Sequence, residues 1–295
     1  MTPNAFELDV ELPSRPFDEE AATLIGFDAR YKRVEKQLSL ISDPGKVQKW
    51  AADNYGGKTP PIVTLIKSQY PLFVLEGDVG TGKTAFARAA ASRLCMDLKK
   101  EGRFFALSTR VRGSGRVGEA STRINEAFDH ITEQLGKNRF IFLLIDEADS
   151  LLTARSDEHN HLEDRVAVNT IIQKVDDLRR HGGRVVVFLA TNRMDTLDAA
   201  ILRRVAIQET FRRPDDDERL QLLQGDLADL GLAPSAIQTF VDRTGPQDGT
   251  PGFTFSDFRT RLLPRIVGNA FPHRAITEDD VRLAIEATRP SPSVS

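Results

Sequence analysis

Three stretches of this 295-residue chain, 71–76, 140–145 and 185–190, are apolar with almost no alternation. A strand with one wet face alternates apolar and polar residues, because successive side chains point to opposite sides. A run without a polar face has to be covered on both. Between and after these runs lie segments of helical spacing at 84–100, 122–135 and 166–180. The last sets Val168, Ile171, Ile172, Val175 and Leu178 on one stripe. A short run at 104–107 adds a further strand. Buried strands separated by helices specify an α/β fold: a parallel sheet covered by helices on both faces.

Helical spacing also marks 26–40, with Tyr31, Val34, Leu38 and Ile41. Residues 42–61 are punctuated by glycine and proline, with one helix near 47–55, and Trp50 and Tyr55 are expected to anchor that stretch onto the core. After Pro214 the strand runs stop, and 216–230, 234–243, 254–269 and 277–287 read as helices, with starts at Ser256-Asp257 and Thr277-Glu278. The expected organisation is an irregular N-terminal arm at 1–23, a large α/β domain at 24–212, a small C-terminal α-helical domain at 213–288, and a disordered tail at 289–295.

Composition removes several function classes. Forty Lys and Arg against 43 Asp and Glu leave a net charge of −3, which excludes a strongly basic nucleic-acid coat. The single cysteine, Cys95, rules out an intrachain disulfide and a Cys-based metal site; it is expected to be a buried, inert thiol in a reducing compartment. The apolar runs are far shorter than a membrane span, and the acidic first twenty residues hold no apolar signal region. The expectation is a soluble, cytoplasmic protein with no membrane partner.

Gly77-Asp78-Val79-Gly80-Thr81-Gly82-Lys83-Thr84 fits the Walker A pattern between a predicted strand and a predicted helix. Glycines let the loop wrap phosphates with its backbone N–H groups, and the helix N-terminus adds a positive dipole end. Lys83 is then expected on the β- and γ-phosphates of ATP, and the Thr84 hydroxyl on Mg²⁺. The run 140–145 ends in Asp146-Glu147. At the carboxyl end of a parallel strand, Asp146 is placed to hold Mg²⁺ and Glu147 to act as general base. The run 185–190 ends in Thr191-Asn192, where Asn192 either orients the attacking water or serves as a turn residue. Arg203-Arg204 follows a short apolar turn and reads either as a surface ion pair or as a cation supplied to a neighbouring subunit's γ-phosphate.

In this order the elements resemble the AAA+ ATPases. The resemblance spans 24–287 and implies a P-loop fold with a small helical lid domain. It implies that Ile25-Gly26-Phe27 lines the adenine pocket, that Asn192 is sensor 1, and that Arg204 is the arginine finger with Arg203 beside it. Asp146-Glu-Ala-Asp-Ser-Leu-Leu-Thr-Ala-Arg155, Arg165-Val-Ala-Val-Asn-Thr-Ile-Ile-Gln-Lys-Val-Asp176 and Leu197-Asp-Ala-Ala-Ile-Leu-Arg-Arg204 look more closely like the pachytene checkpoint protein 2 family. That family forms hexameric rings that convert HORMA-domain proteins from a closed to an open state. The short segment before Gly77 resembles its bacterial members in anti-phage (CBASS) operons. The resemblance there implies disassembly of a complex of HORMA protein and nucleotidyltransferase (CD-NTase), which restrains the signal.

Two departures stand out. The resemblance matches the first pore loop to Ser114-Gly115-Arg116-Val117-Gly118-Glu119, with Arg116 where an aromatic residue is usual; either Arg116, Val117 and Gly118 contact the substrate, or Arg116 pairs with Glu119 in a solvated loop. At the sensor 2 position stands Phe258, with Arg259 and Arg261 as substitutes. Arg110, Arg112, Arg116 and Arg123 lack interleaved aromatics, which argues against nucleic acid as a partner. Residues 157–161 carry metal-capable side chains without a recognised ligand spacing, and a solvated second pore loop is the expected reading.

Overall fold

The structure is a computed structural model that describes residues 5–66, 69–108, 111, 118–136, 138–153, 162–247 and 249–293. It consists of two compact units. One comprises 1–23, 27–76 and 84–210; the other comprises 24–26, 77–83 and 211–295. The chain passes from the first unit to the second at 210/211. The separation of 24–26 and 77–83 from their sequence neighbours depends on tertiary packing.

The strands are β1 (Phe6–Leu12), β2 (Leu72–Gly77), β3 (Gly102–Leu107), β4 (Phe140–Ile145), β5 (Val185–Thr191) and β6 (Val205–Phe211). The helices of the first unit are α1 (Arg15–Thr23), α2 (Phe27–Ser42), α3 (Pro44–Asn54), α4 (Pro61–Ile66), α5 (Lys83–Leu98, beginning with the last residue of the other unit), α6 (Glu119–Glu133), α7 (Ala148–Leu151), α8 (Leu162–Leu178) and α9 (Ala199–Leu202). The sheet order is β1-β3-β4-β5-β2-β6, and β3, β4, β5 and β2 run parallel. One face buries Ile141, Leu143, Val187 and Leu189 against Ile124, Phe128 and Ile131 of α6 and Ile171 and Val175 of α8. On the other, the rings of Phe142 and Phe188 stack at 6.4 Å, and Phe73 joins Phe188 at 5.7 Å, tying the three central strands together. There α1 sets Phe17 edge-on to Phe104, and α5 brings Cys95 against Gly102, where a Cβ would lie 2.6 Å from the sulfur. Cys95 is buried as expected, and burial pushes its thiol up to about 12.

Three expectations are corrected here. Residues 6–23 are not an irregular arm: β1 pairs antiparallel with β3 at the sheet edge, and α1 is fastened by Arg88–Glu20 and by Ser92 donating to Asp18. The sheet is therefore parallel with an antiparallel edge. A search for apolar runs passes over both edge strands: β1 alternates apolar and acidic residues, and β6, Val-Ala-Ile-Gln-Glu-Thr-Phe, buries only Ile207 and Phe211. Trp50 and Tyr55 do not anchor α3: they lie edge to face on the surface, 51% and 49% exposed.

The second unit holds α10 (Asp216–Asp226), α11 (Pro234–Thr244), α12 (Leu263–Ala270) and α13 (Glu278–Ala287). Its core is Leu222, Leu223, Phe240, Val241, Phe258, Leu262, Ile266, Val281 and Ala284. Capping boxes start α10 at Asp215 with Glu218 and α13 at Thr277 with Asp280, the latter where the sequence places it. The start expected at Ser256-Asp257 lies two residues earlier. The Asp257 carboxylate accepts from the Thr254 N–H (2.9 Å), the Asp257 N–H donates to the Thr254 hydroxyl (3.1 Å), and a π-helical turn, Asp257–Leu262, leads into α12.

Candidate active site

In the second unit the loop 77–83 is built on glycines in the left-handed region, with φ of 142° at Gly77, 77° at Gly80 and 96° at Gly82. A Cβ on Gly77 would come within 1.9 Å of the Phe211 carbonyl oxygen, and one on Gly80 within 2.7 Å of the Ser256 Cβ, so backbone crowds out a side chain at the first and neighbouring side chains at the second. Thr81 donates to the Asp78 carbonyl (2.8 Å) and closes the loop. Lys83 is 7% exposed, and its ammonium donates to the Gly77 and Asp78 carbonyls at 2.8 Å each. Val79 points outward, 52% exposed.

In the first unit the next residue, Thr84, donates its hydroxyl to Asp146 Oδ2 at 2.6 Å. The other carboxylate oxygen accepts the Glu147 N–H at 2.9 Å. Glu147 adopts φ 49°, ψ 45°, a left-handed conformation costing a non-glycine residue about 1–3 kcal/mol, and this turns its exposed side chain away from the buried strand. Parallel register levels the strand ends, with Ile145 opposite Leu189 and Glu76 opposite Thr191. Asp149 links two of them: its Oδ1 accepts from the Thr191 hydroxyl at 2.9 Å and from the Asn192 N–H at 3.3 Å. No local pattern marks Asp149 for this role beyond its position three residues after Asp146, one helical turn on.

Arg204 reaches Asp176 with Nε and a terminal nitrogen at 2.6 and 2.9 Å, donates to the Ala200 carbonyl at 2.7 Å, and lies 5.4 Å from the Tyr70 ring centre. Hydrogen bonding to Asp176 holds its pKa above the ordinary arginine value. Arg203 is exposed. Gly26 belongs to the second unit, with φ 72° and room for a Cβ only 3.3 Å from Glu218 Oε1. Phe27 belongs to the first, where it is buried with its ring 5.7 Å from Tyr31 and 5.8 Å from Phe86. Phe258 is fully buried in the helical unit, Arg261 pairs with Asp257 at 2.9 Å, and Arg259 lies 3.9 Å from Asp226. Gly118 precedes α6 with φ 86°, and Arg123 pairs with Glu119. Arg110, Arg112, Arg116, Val117 and 157–161 lie outside the described residues.

The donor chemistry fits a nucleoside triphosphate with Mg²⁺. Among the described residues no group of three His, Cys, Asp or Glu is gathered to cage a metal. The hydroxyl and carboxylate of Thr84 and Asp146 are hard oxygens of the kind that hold Mg²⁺ together with substrate phosphates. Among the described residues, no helix is long and apolar enough to cross a membrane.

The ATPase family associated with various cellular activities (AAA) matches residues 73–213. The chain is 44% identical to CD-NTase-associated protein 6 of Escherichia coli strain KTE188, over 98% of this chain and 97% of that protein. It is 36% identical to the protein of that name from strain MS 115-1, over 98% and 95%. Among solved structures it resembles a chain of the E. coli MS115-1 HORMA:CdnC:Trip13 complex, with a TM-score of 0.92, 34% identity, and coverage of 99% and 98%. It also resembles Rhizobiales Trip13, with a TM-score of 0.73, 29% identity, and coverage of 97% and 99%. A phosphate loop after a buried strand, a Thr–Asp oxygen pair and near-full-length similarity converge on one assignment: the chain is an AAA ATPase of the CD-NTase-associated protein 6 family.

Proposed function

We propose that this chain is an ATP-driven remodeller of a HORMA-domain protein, converting it from closed to open and so separating it from a CD-NTase, which restrains CBASS signalling. The observation that carries this reading is the 44% identity to CD-NTase-associated protein 6 along nearly the whole of both chains. The likeness to a chain of the HORMA:CdnC:Trip13 complex supports it further.

On this reading each residue takes a role. The loop 77–83 and Lys83 bind the triphosphate, while Thr84 and Asp146 would hold Mg²⁺, which would supply positive charge against the phosphates. Glu147, turned outward by its left-handed backbone, takes a proton from the water that attacks the γ-phosphorus as the bridging bond to the β-phosphate breaks, giving ADP and phosphate. Asn192 orients that water. Arg204, with Arg203 beside it, stabilises charge at the site of an adjoining subunit in a hexamer. Gly26 and Phe27 are the adenine-side residues, and Arg116, Val117 and Gly118 engage the client. The protein works in the cytoplasm.

The test mixes the purified protein with a preformed complex of a HORMA-domain protein and a CD-NTase, with ATP and Mg²⁺. Size-exclusion chromatography is expected to resolve the two partners with wild type and not with Glu147→Gln. An intact complex despite full ATP turnover would overturn the client assignment.

A further inference from the structure

Residues 289–293, expected to be disordered, are built into the second unit, and they reach the phosphate loop by two routes. On one, Arg213 forms a hub: its Nε donates to Asp78 Oδ2 (2.8 Å), while its terminal nitrogens donate to the carbonyls of Gly252 (2.6 Å), Ser291 (2.9 Å) and Pro292 (3.0 Å). The Ser293 hydroxyl reaches the same Asp78 carboxylate at 3.2 and 3.3 Å. On the other, the Ser291 hydroxyl and N–H donate to Asp257 at 2.7 and 3.0 Å. Asp257 also accepts from the Thr254 N–H, and the Ser256 N–H donates to the Gly80 carbonyl at 3.1 Å. Gly80 is so close to Thr254 that a Cβ there would lie 2.8 Å from the threonine hydroxyl oxygen.

The side chain at the second position of the loop, Asp78, is thus directed to Arg213 and Ser293. Most of this network is shielded: the side chains of Arg213 and Asp78 are 13% and 18% exposed, and that of Asp257 is 1% exposed. Charge-assisted bonds with this little solvent are about twice as strong as neutral ones and hold geometry well. The loop's backbone N–H groups bind phosphate only in one conformation, and an unfastened loop would have to be ordered at the expense of affinity.

We propose that the 291–293 segment is a fastening that sets the conformation of the phosphate loop, and that Asp78, Arg213 and Ser291 are positioning residues for the nucleoside triphosphate. The proposal rests on reading 77–84 as the ATP cradle. Linkage makes the effect reciprocal: whatever factor the docked segment adds to ATP affinity, bound ATP adds to docking of the segment.

The experiment compares the wild-type chain with one ending at Pro290 and with the double variant Ser291→Ala/Ser293→Ala. Equilibrium binding of a fluorescent ATP analogue, steady-state kinetics and amide exchange of 289–293 are read for each. Both variants should bind the analogue about tenfold more weakly, with a matching rise in KM and kcat within twofold, and ATP should slow exchange of the wild-type segment. If the shortened chain fails to fold, the double variant carries the measurement. A Kd within twofold of wild type overturns the proposal, as does a joint fall of Tm and kcat at unchanged Kd, which marks a structural role only. Failure of the wild-type chain to bind the analogue overturns the ATP reading itself and is distinct from either result.

Discussion

Arg204 grips both carboxylate oxygens of Asp176 inside its own unit, at 2.6 and 2.9 Å, with its side chain only 20% exposed. The Ala200 carbonyl and the Tyr70 ring complete a socket around the guanidinium. An arginine that must reach another subunit's phosphate gains from being held in one orientation, because little side-chain entropy is then lost at the transition state. Asp176 is therefore expected to orient Arg204. Asp176→Asn should lower turnover by about tenfold with nucleotide affinity unchanged, and Arg204→Ala by about 10³-fold or more, checked by steady-state ATPase and equilibrium binding.

The proposed sharing of the site between subunits has a second consequence. Lys83→Ala removes the cradle's cation and should abolish nucleotide binding in its own subunit, while Arg204→Ala spares binding and removes the neighbour's cation. Mixed in one ring, the two inactive variants should regain part of the wild-type rate. Confirmed mixed rings with no recovered activity would exclude a finger acting between subunits.

Glu147→Gln keeps the size and the hydrogen-bonding oxygen of the side chain and removes its basicity. ATP affinity should persist while turnover falls by about 10²–10⁴-fold, read by equilibrium binding and single-turnover hydrolysis.

Asp149→Ala frees the Thr191 hydroxyl and the Asn192 N–H from their shared partner. Losing such bonds costs on the order of 1–3 kcal/mol, and the loss falls on the residue proposed to orient water. The expected result is a fall in kcat of about tenfold or more with KM little changed. Asp149→Asn retains one acceptor oxygen and should recover part of the rate.

The buried carboxylate of Asp257 makes the helical unit sensitive to acid. Burial alone raises its pKa, but hydrogen bonds from Ser291 and Thr254 more than reverse that and hold it at about 2, below its ordinary value of 3.8. A depressed pKa stabilises the fold above the unfolded-state value and loses that contribution as the pH falls through the folded-state value. About 1–2 kcal/mol should therefore disappear between pH 4 and 2. Thermal unfolding across that range should show the fall, and Ser291→Ala should flatten it.

How legible the site was depended on whether its residues act through local spacing. Gly77, Gly80, Gly82, Lys83 and Thr84 form their loop within one strand–helix turn, so their order along the chain is nearly their geometry. Asp146 follows a strand whose six residues are all buried, and that is visible as an apolar run. β1 alternates strictly, Phe-Glu-Leu-Asp-Val-Glu-Leu, so a search confined to apolar runs passes over it, while β6 carries neither an apolar run nor a strict alternation.

The order of buried strands, the phosphate loop and the acidic strand end were determined by the sequence alone, because backbone conformation and burial on both faces leave marks on neighbouring residues. The tertiary structure decided what no local pattern encodes. It paired β1 with β3, set Asp149 beneath Asn192, closed Asp176 on Arg204, and brought Ser293 to Asp78 across 215 residues of chain. Each of these depends on a partner far along the sequence, and such a partner is chosen by packing of the whole unit rather than by the residues beside it.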